Sequence, residues 1–271
     1  MVFWELMLTF VHLIEQKMNK TTLLSLLLTA LLTTACTTHY QVASVERSVI
    51  LIDSRYDQRP DAEAAAFLAP YKHQVDSING PVMGHSAKYM TAQRPEGTLS
   101  NLLADIMVWA GKYYQEKPDF GVYNMGGVRA DLPKGTVTYG DILDIAPFEN
   151  KIAFTTLSGK DVLELFSQMA VVGGEGVSHA VRMVITKDGK LVSASVNSKP
   201  VDPERDYRVV TIDYLLSSSD KMGAFKKGRN MNSPQDVSND SRFIIMDYFK
   251  DKEAKGELVD AEIEGRVTVK N

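Results

Sequence analysis

Asn124-Met125-Gly126-Gly127-Val128-Arg129, followed nineteen residues after Arg129 by Phe148 within Ala146-Pro147-Phe148-Glu149-Asn150, gathers side chains suited to holding a planar, polar ligand. Asn124 offers donors and an acceptor that match a base edge or a sugar hydroxyl. Arg129 offers a flat fork for a carboxylate, a phosphate or a pair of hydroxyls. Gly126 and Gly127 permit positive φ and a close backbone approach. Phe148 follows Pro147, which restricts the backbone ahead of it, and an aromatic in such a loop can stack on a base. The competing readings are a tight turn with a surface arginine and an ordinary core phenylalanine. Residue types alone leave both open.

A second segment, Tyr207 to Lys221 (YRVVTIDYLLSSSDK), places Tyr214 near the end of an apolar run and Asp220 in a polar loop. Tyr214 could supply another stacking face, and Asp220 could accept from two vicinal ribose hydroxyls. A core tyrosine and a turn aspartate are the plain alternatives. Two-metal phosphoester chemistry requires clustered Asp, His and Asn ligands. The five histidines, His12, His39, His73, His85 and His179, are isolated from one another and fall in no ligand motif. Asp141 and Asp144 lie three apart on an expected helix, where a solvated face explains them. No nucleophile elbow, phosphate-binding P-loop or dinucleotide fingerprint occurs.

These residues need elements to position them. Thr98 to Tyr114 carries an apolar stripe at Leu102, Leu103, Ile106, Met107 and Ala110, the pattern of a buried helix face, with Thr98 as its cap. Phe120 to Tyr123 reads as a buried strand that delivers the chain to Asn124. Thr138 and Asp141 have capping-box spacing. Lys151 to Thr156 reads as a strand and Ser158 to Met169 as a helix. Asp188-Gly189 between alternating runs predicts a hairpin over Ala180 to Asn197. Tyr207 to Leu216 reads as a strand, Asp240 to Lys252 as a helix and Ala261 to Val269 as a last strand. Upstream, Ser48 to Asp53 reads as a short strand and Asp61 to Asp76 as a helix interrupted or kinked at Pro70. The expected fold class is mixed α+β, one domain over 48–271 with a mixed sheet flanked by helices.

The net charge of −4 provides no basic field for a nucleic acid polymer. The single cysteine, Cys36, excludes an intrachain disulfide and a cysteine-based zinc site. Residues 18–36 (MNKTTLLSLLLTALLTTAC) show a basic start, an apolar run from Leu23 to Leu32 and small residues before Cys36. That is the order of a secretory signal. A cysteine directly after the small residues resembles a bacterial lipobox, which implies a lipidated Cys36 and a tether over 37–47. The match departs at Thr33, where leucine is usual. Residues 1–17, with Glu5 and Glu15, do not suit the start of a signal, so Met18 reads as the true start and 1–17 as a misassigned extension. A short amphipathic helix is the alternative.

Taken together, TLSNLLADIM, NMGGVR, LPKGTVTYGDIL, APFEN, SGKDVLELF, KPVDPERDYRVVTIDY and the terminal EGRV resemble, in order and spacing, the C-terminal domain of the 5'-nucleotidase and UDP-sugar hydrolase family along nearly the whole chain after the tether. The resemblance implies that domain's fold and a base held between two aromatics, here Phe148 and Tyr214. It implies polar contacts from Asn124 to the base, with Arg129 and Asp220 holding the ribose or an adjacent group, and Gly126 and Gly127 belong with them to the substrate-binding set. Arg94 corresponds to a further family arginine. Tyr214 stands where the family has phenylalanine. Ser218, Ser219 and Lys221 replace glycines around Asp220, and His179 follows Ser178 where the family has glycine. The second loop is therefore stiffer and bulkier than the family's, which puts ligand affinity or identity in doubt.

The family's metal-bearing phosphatase half normally precedes this domain. Here the signal and tether take that place. The reading is a nucleotide-recognition domain in nucleotide catabolism, inactive alone. It holds no cofactor itself, and divalent metals are expected in a separate metallophosphatase chain. The expected location is the bacterial cell envelope, lipid-anchored and facing the periplasm, on the outer membrane rather than the inner. The alternatives are a stand-alone nucleoside- or nucleotide-binding lipoprotein and a vestigial structural domain.

Overall fold

In the computed structural model the apolar stripe after Gly97 forms helix α2 (Thr98–Ala110), with Leu99, Leu102, Leu103, Ile106, Met107 and Ala110 all buried. The structure describes residues 61–217 and 221–270 throughout, together with 42–51, Asp53, Arg55 and Lys20, Thr21, Leu24, Ser25 and Leu28. The chain divides into two units, 1–60 and 61–271. In the first, residues 42–51 have no regular structure, so the strand expected over 48–53 does not form in its described part. Cys36, the expected extension and most of the expected signal lie outside the described residues. Among the described residues no helix is long and apolar enough to cross a membrane.

The second unit begins with α1 (Ala62–Asn79), capped by Asp61, whose carboxylate accepts from the N–H groups of Glu63 and Ala64 at 2.9 and 3.0 Å. Pro70 lies inside this helix and does not end it, so the break foreseen there does not occur, although proline has no N–H to offer the preceding turn. No residue of α1 is buried.

A five-stranded mixed sheet forms the centre, in the order β10 (Arg229–Asn232), β4 (Ile152–Ser158), β9 (Asp206–Ile212), β2 (Phe120–Tyr123), β5 (Gly176–Val177). The β2–β9 pair is parallel, while β4–β9 and β2–β5 are antiparallel. The buried strand expected over 120–123 forms there with all four residues buried. Gly121 lets α2 lie close on β2, since a Cβ at this position would sit 2.7 Å from the Ala104 carbonyl oxygen. A four-stranded mixed sheet, β11 (Val267–Lys270), β6 (Val181–Thr186), β7 (Leu191–Val196), β8 (Lys199–Pro200), contains the expected hairpin. Gly189 takes φ +79° at its turn. A two-stranded antiparallel sheet joins β1 (Val82–Ser86) to β3 (Gly135–Thr138). Among the described residues the expected single sheet is thus three sheets, flanked by α2, α4 (Gly159–Val171) and α6 (Ser241–Ala254).

Local chemistry accounts for the ends. Thr138 caps α3 (Tyr139–Ile145) through the expected box with Asp141. Ser158 caps α4, whose Val162, Leu165, Phe166, Met169 and Ala170 are buried. Burial of each large apolar side chain contributes about 1.5–3 kcal/mol. Thr98 is not the cap of α2. Gly97 holds that place, its N–H donating to the Ser100 hydroxyl at 3.1 Å, while the Thr98 hydroxyl accepts from the Thr91 N–H. The strand expected over 207–216 stops at Ile212, and α5 (Asp213–Ser217) follows. The strand expected over 261–269 shortens to β11. The Glu96 carboxylate takes the N–H groups of Glu264 and Arg266 at 2.8 and 2.9 Å, and those donors are then lost to a ladder.

Candidate nucleotide-binding cleft

The end of β2 passes directly into a short 3-10 turn, Met125–Gly127. Asn124 caps it, its Oδ1 accepting from the Gly126 N–H at 3.1 Å. Neither glycine is at positive φ. The expected use of that freedom is corrected. A Cβ on Gly126 or Gly127 would lie 3.3 Å from the Asn124 side-chain amide, so glycine leaves that amide in its place, where a larger residue would press it aside by a few tenths of an ångström. The turn is fixed from beneath by Glu175, whose Oε2 accepts from the Met125 N–H at 2.9 Å. Burial pushes the Glu175 carboxyl above the usual range, against the opposing pull of the Met125 N–H and the Arg94 guanidinium.

Phe148 lies on the loop between α3 and β4. This loop is anchored by the Asn150 carbonyl, which accepts from the Ser241 N–H at 2.8 Å, and by the buried ion pair of Lys151 with Asp240. Tyr214 lies on α5. Asp213 joins these two arms, since its Oδ1 accepts from the Lys151 N–H at 3.1 Å and from the Tyr214 N–H at 2.8 Å.

The cleft so formed has a volume of about 260 Å³ and is lined by Asn124, Gly126, Gly127, Phe148, Asn150 and Tyr214. Phe148 and Tyr214 are 47% and 44% exposed, so neither ring is a core residue. Two half-exposed aromatics beside an amide-bearing turn can hold a flat heteroaromatic ring by its faces and read its edge. A larger cavity of about 510 Å³ lies elsewhere and shares none of these residues. Convergence of ring faces and amides identifies the smaller cleft as the nucleotide candidate, and size does not.

The structure brings Asn124, Gly126, Gly127, Phe148 and Tyr214 to one cleft. Arg129 is exposed and lines an adjacent depression with Ala92, Val128, Ala130 and Asp131. Arg94 does not line the cleft. Its Nε donates to the Gly174 carbonyl at 2.7 Å and its guanidinium pairs with Glu175, so it acts on the Asn124 turn through that acid. Gly174 makes this possible, with φ +111° and a position where a Cβ would lie 2.5 Å from the Pro95 carbonyl oxygen. Ser218, Ser219 and Asp220 lie outside the described residues. Sequence reasoning missed Asn150, Glu175 and Asp213. For Glu175 a signal existed, a lone acid among Gly173, Gly174 and Gly176. Among the described residues no three His, Cys, Asp or Glu side chains group as a metal site.

Comparison with known proteins gives the family of the domain that carries this cleft. UshA of Salmonella pullorum is 27% identical over 150 residues, which cover 54% of this chain and 26% of UshA. UshA of Yersinia enterocolitica is 30% identical over 171 residues, covering 59% of this chain and 30% of that protein. The chain therefore spans under a third of the length of these curated relatives. The 5'-nucleotidase precursor of Thermus thermophilus has the same fold, with a TM-score of 0.67 and 25% identity over 78% of this chain and 44% of that one. The family model for the 5'-nucleotidase C-terminal domain matches residues 81–227, more than half of the chain, which belongs to that family.

Proposed function

We propose that this chain is the nucleotide-recognition domain of a periplasmic 5'-nucleotidase-type phosphohydrolase, working with a metallophosphatase carried on a separate chain. The observation that carries the reading is the placement of Phe148 and Tyr214 on one cleft with Asn124, Gly126 and Gly127. A base lies between the two rings, and the Asn124 amide bonds its edge. Arg129, on the neighbouring depression, meets the ribose or phosphate end, together with Asp220. The partner supplies the divalent metals and the attacking water. Cys36 is the lipid anchor, which holds the chain in the cell envelope on the periplasmic face of the outer membrane.

One feature supports a partner. The helix α1 presents Phe67, Leu68, Tyr71, Val75 and Ile78 on one side, each 52–69% exposed. Helices in proteins draw most of their stability from packing an apolar face, and a docked phosphatase would cover this one.

The test is calorimetric titration of adenosine, AMP and UDP-glucose into the full chain and its Phe148→Ala variant. Phosphate release is then measured after mixing with a metallophosphatase chain encoded beside it. Binding that weakens in the variant, with hydrolysis seen in the mixture alone, is the expected result. Binding without hydrolysis in any mixture would favour a stand-alone binding lipoprotein. No binding would favour the vestigial reading.

A further inference from the structure

The larger cavity, about 510 Å³, lies between the end of α2 with its following turn (Gly111–Tyr114) and the stretch of α6 from Ile244 to Asp251. Its volume falls within the range of about 300–1,000 Å³ common for small-ligand sites. Aromatic rings make its floor. Trp109 meets Tyr113 edge to face with centroids 5.1 Å apart, and Tyr248 holds Trp109 from another side at 5.1 Å and 90°. Tyr114 donates its hydroxyl to Asn239 Oδ1 at 2.8 Å. Burial raises the Tyr114 phenol above its usual range, and the Asp247 carboxylate adds to the rise, so that carboxylate faces the same space. Ser238 and Asp251 complete a polar rim.

The charges around this cleft are already matched. The Lys112 ammonium sits 4.3 Å from the Trp109 centroid and 4.8 Å from that of Tyr113. Lys250 stands 3.9 Å from Asp247, and Lys255 pairs with Asp251 at 2.7 Å. An anion would meet Asp247 and Asp251. A cation would have to displace Lys112 from the rings, in the company of Lys250 and Lys255. A neutral molecule with a flat apolar face and hydrogen-bonding edges meets no like charge, and since an ammonium covers only one face of a ring, the exposed Tyr113 keeps its other face for contact. We infer that this cleft binds a saccharide, with the C–H face of a sugar ring on Tyr113, beside Trp109, and its hydroxyls on Asp247, Ser238 and Asn239. The site is separate from the nucleotide cleft and stands whether or not that cleft binds a nucleotide.

The chain has two tryptophans, Trp4 and Trp109, so a Trp4→Phe variant of the full chain leaves Trp109 as sole reporter. Its fluorescence is titrated with tetrasaccharides of glucose and of N-acetylglucosamine, with AMP, and with tetramethylammonium chloride. The expected result is a saturable change with at least one tetrasaccharide at a Kd of ~1 mM or tighter. Tyr113→Ala should weaken it by about tenfold or more. Phe148→Ala should leave it unchanged. Tyr113 is 61% exposed, so its truncation spares the core, and Asp247→Asn gives a second variant expected to weaken binding. Failure of both tetrasaccharides to saturate would overturn the inference. So would saturation by tetramethylammonium in their place, or saccharide binding that Tyr113→Ala and Asp247→Asn both leave intact.

Discussion

The buried carboxylate of Glu175 accepts the backbone N–H of Met125 at 2.9 Å, so an acid fifty residues downstream holds the start of the glycine turn. The same carboxylate pairs with Arg94. The turn, the acid and the arginine form one chain of contacts, and only the turn reaches the cleft.

Titration of Glu175 should be visible in stability. Burial raises its folded pKa above the ordinary 4.5, so the folded chain holds this proton more tightly than the unfolded chain. The contribution is fully present below the ordinary value and is lost as pH rises through the raised one. Glu175→Gln has no such proton. The stability difference between wild type and Glu175→Gln, followed by thermal unfolding across this range, should therefore shift against the wild type as pH increases. A difference that moves in favour of the wild type would mean that Arg94 outweighs burial.

The two rings of the cleft should act as separable faces. Stacking on an aromatic contributes about 1–3 kcal/mol per base, so Phe148→Ala and Tyr214→Ala should each weaken AMP binding by about 5- to 150-fold. Tyr214→Phe keeps the face and should bind close to wild type. Calorimetry on the three variants decides this, and full affinity in Tyr214→Ala would remove that ring from the site.

The Phe148 loop depends on Lys151, whose ammonium pairs with Asp240 in a site where the two side chains are 12% and 2% exposed. Breaking a buried pair by removing one partner costs about 3–5 kcal/mol. Arg242 remains 3.4 Å from Asp240 and offsets part of this. Lys151→Ala should accordingly lower unfolding free energy in urea by about 3 kcal/mol and should also weaken AMP binding, since Lys151 follows the Phe148 loop directly. A variant as stable as wild type would show that Arg242 suffices.

The uncovered side of α1 gives a test that leaves the cleft alone. Phe67→Asp with Tyr71→Asp should lower phosphate release by the mixed chains several-fold while AMP affinity of this chain stays the same. Unchanged release would assign the helix no part in docking.

Much of the domain was legible in sequence because its signals are local. The stripe in α2, the Thr138 box, the Asp188-Gly189 hairpin and strand 120–123 each depend on residues within one element. Misses arose where a distant group decided the outcome. Glu96 takes backbone donors from 264 and 266, which shortens the last strand. Asp213 accepts from the Lys151 N–H at the point where the expected strand gives way to α5. In the cleft, the ring and amide residues had recognisable types. Glu175 and Asp213 act through single backbone bonds to residues fifty and sixty-two positions away, and no spacing rule records that.

Asp213 also sets what kind of discrimination the cleft can make. Its carboxylate oxygen accepts from the backbone of both aromatic arms, so the segments that carry the two rings are tied to each other by the scaffold. In the proposed nucleotide site, a choice between bases would then fall to the rim amides of Asn124 and Asn150, because a ring face meets every base alike.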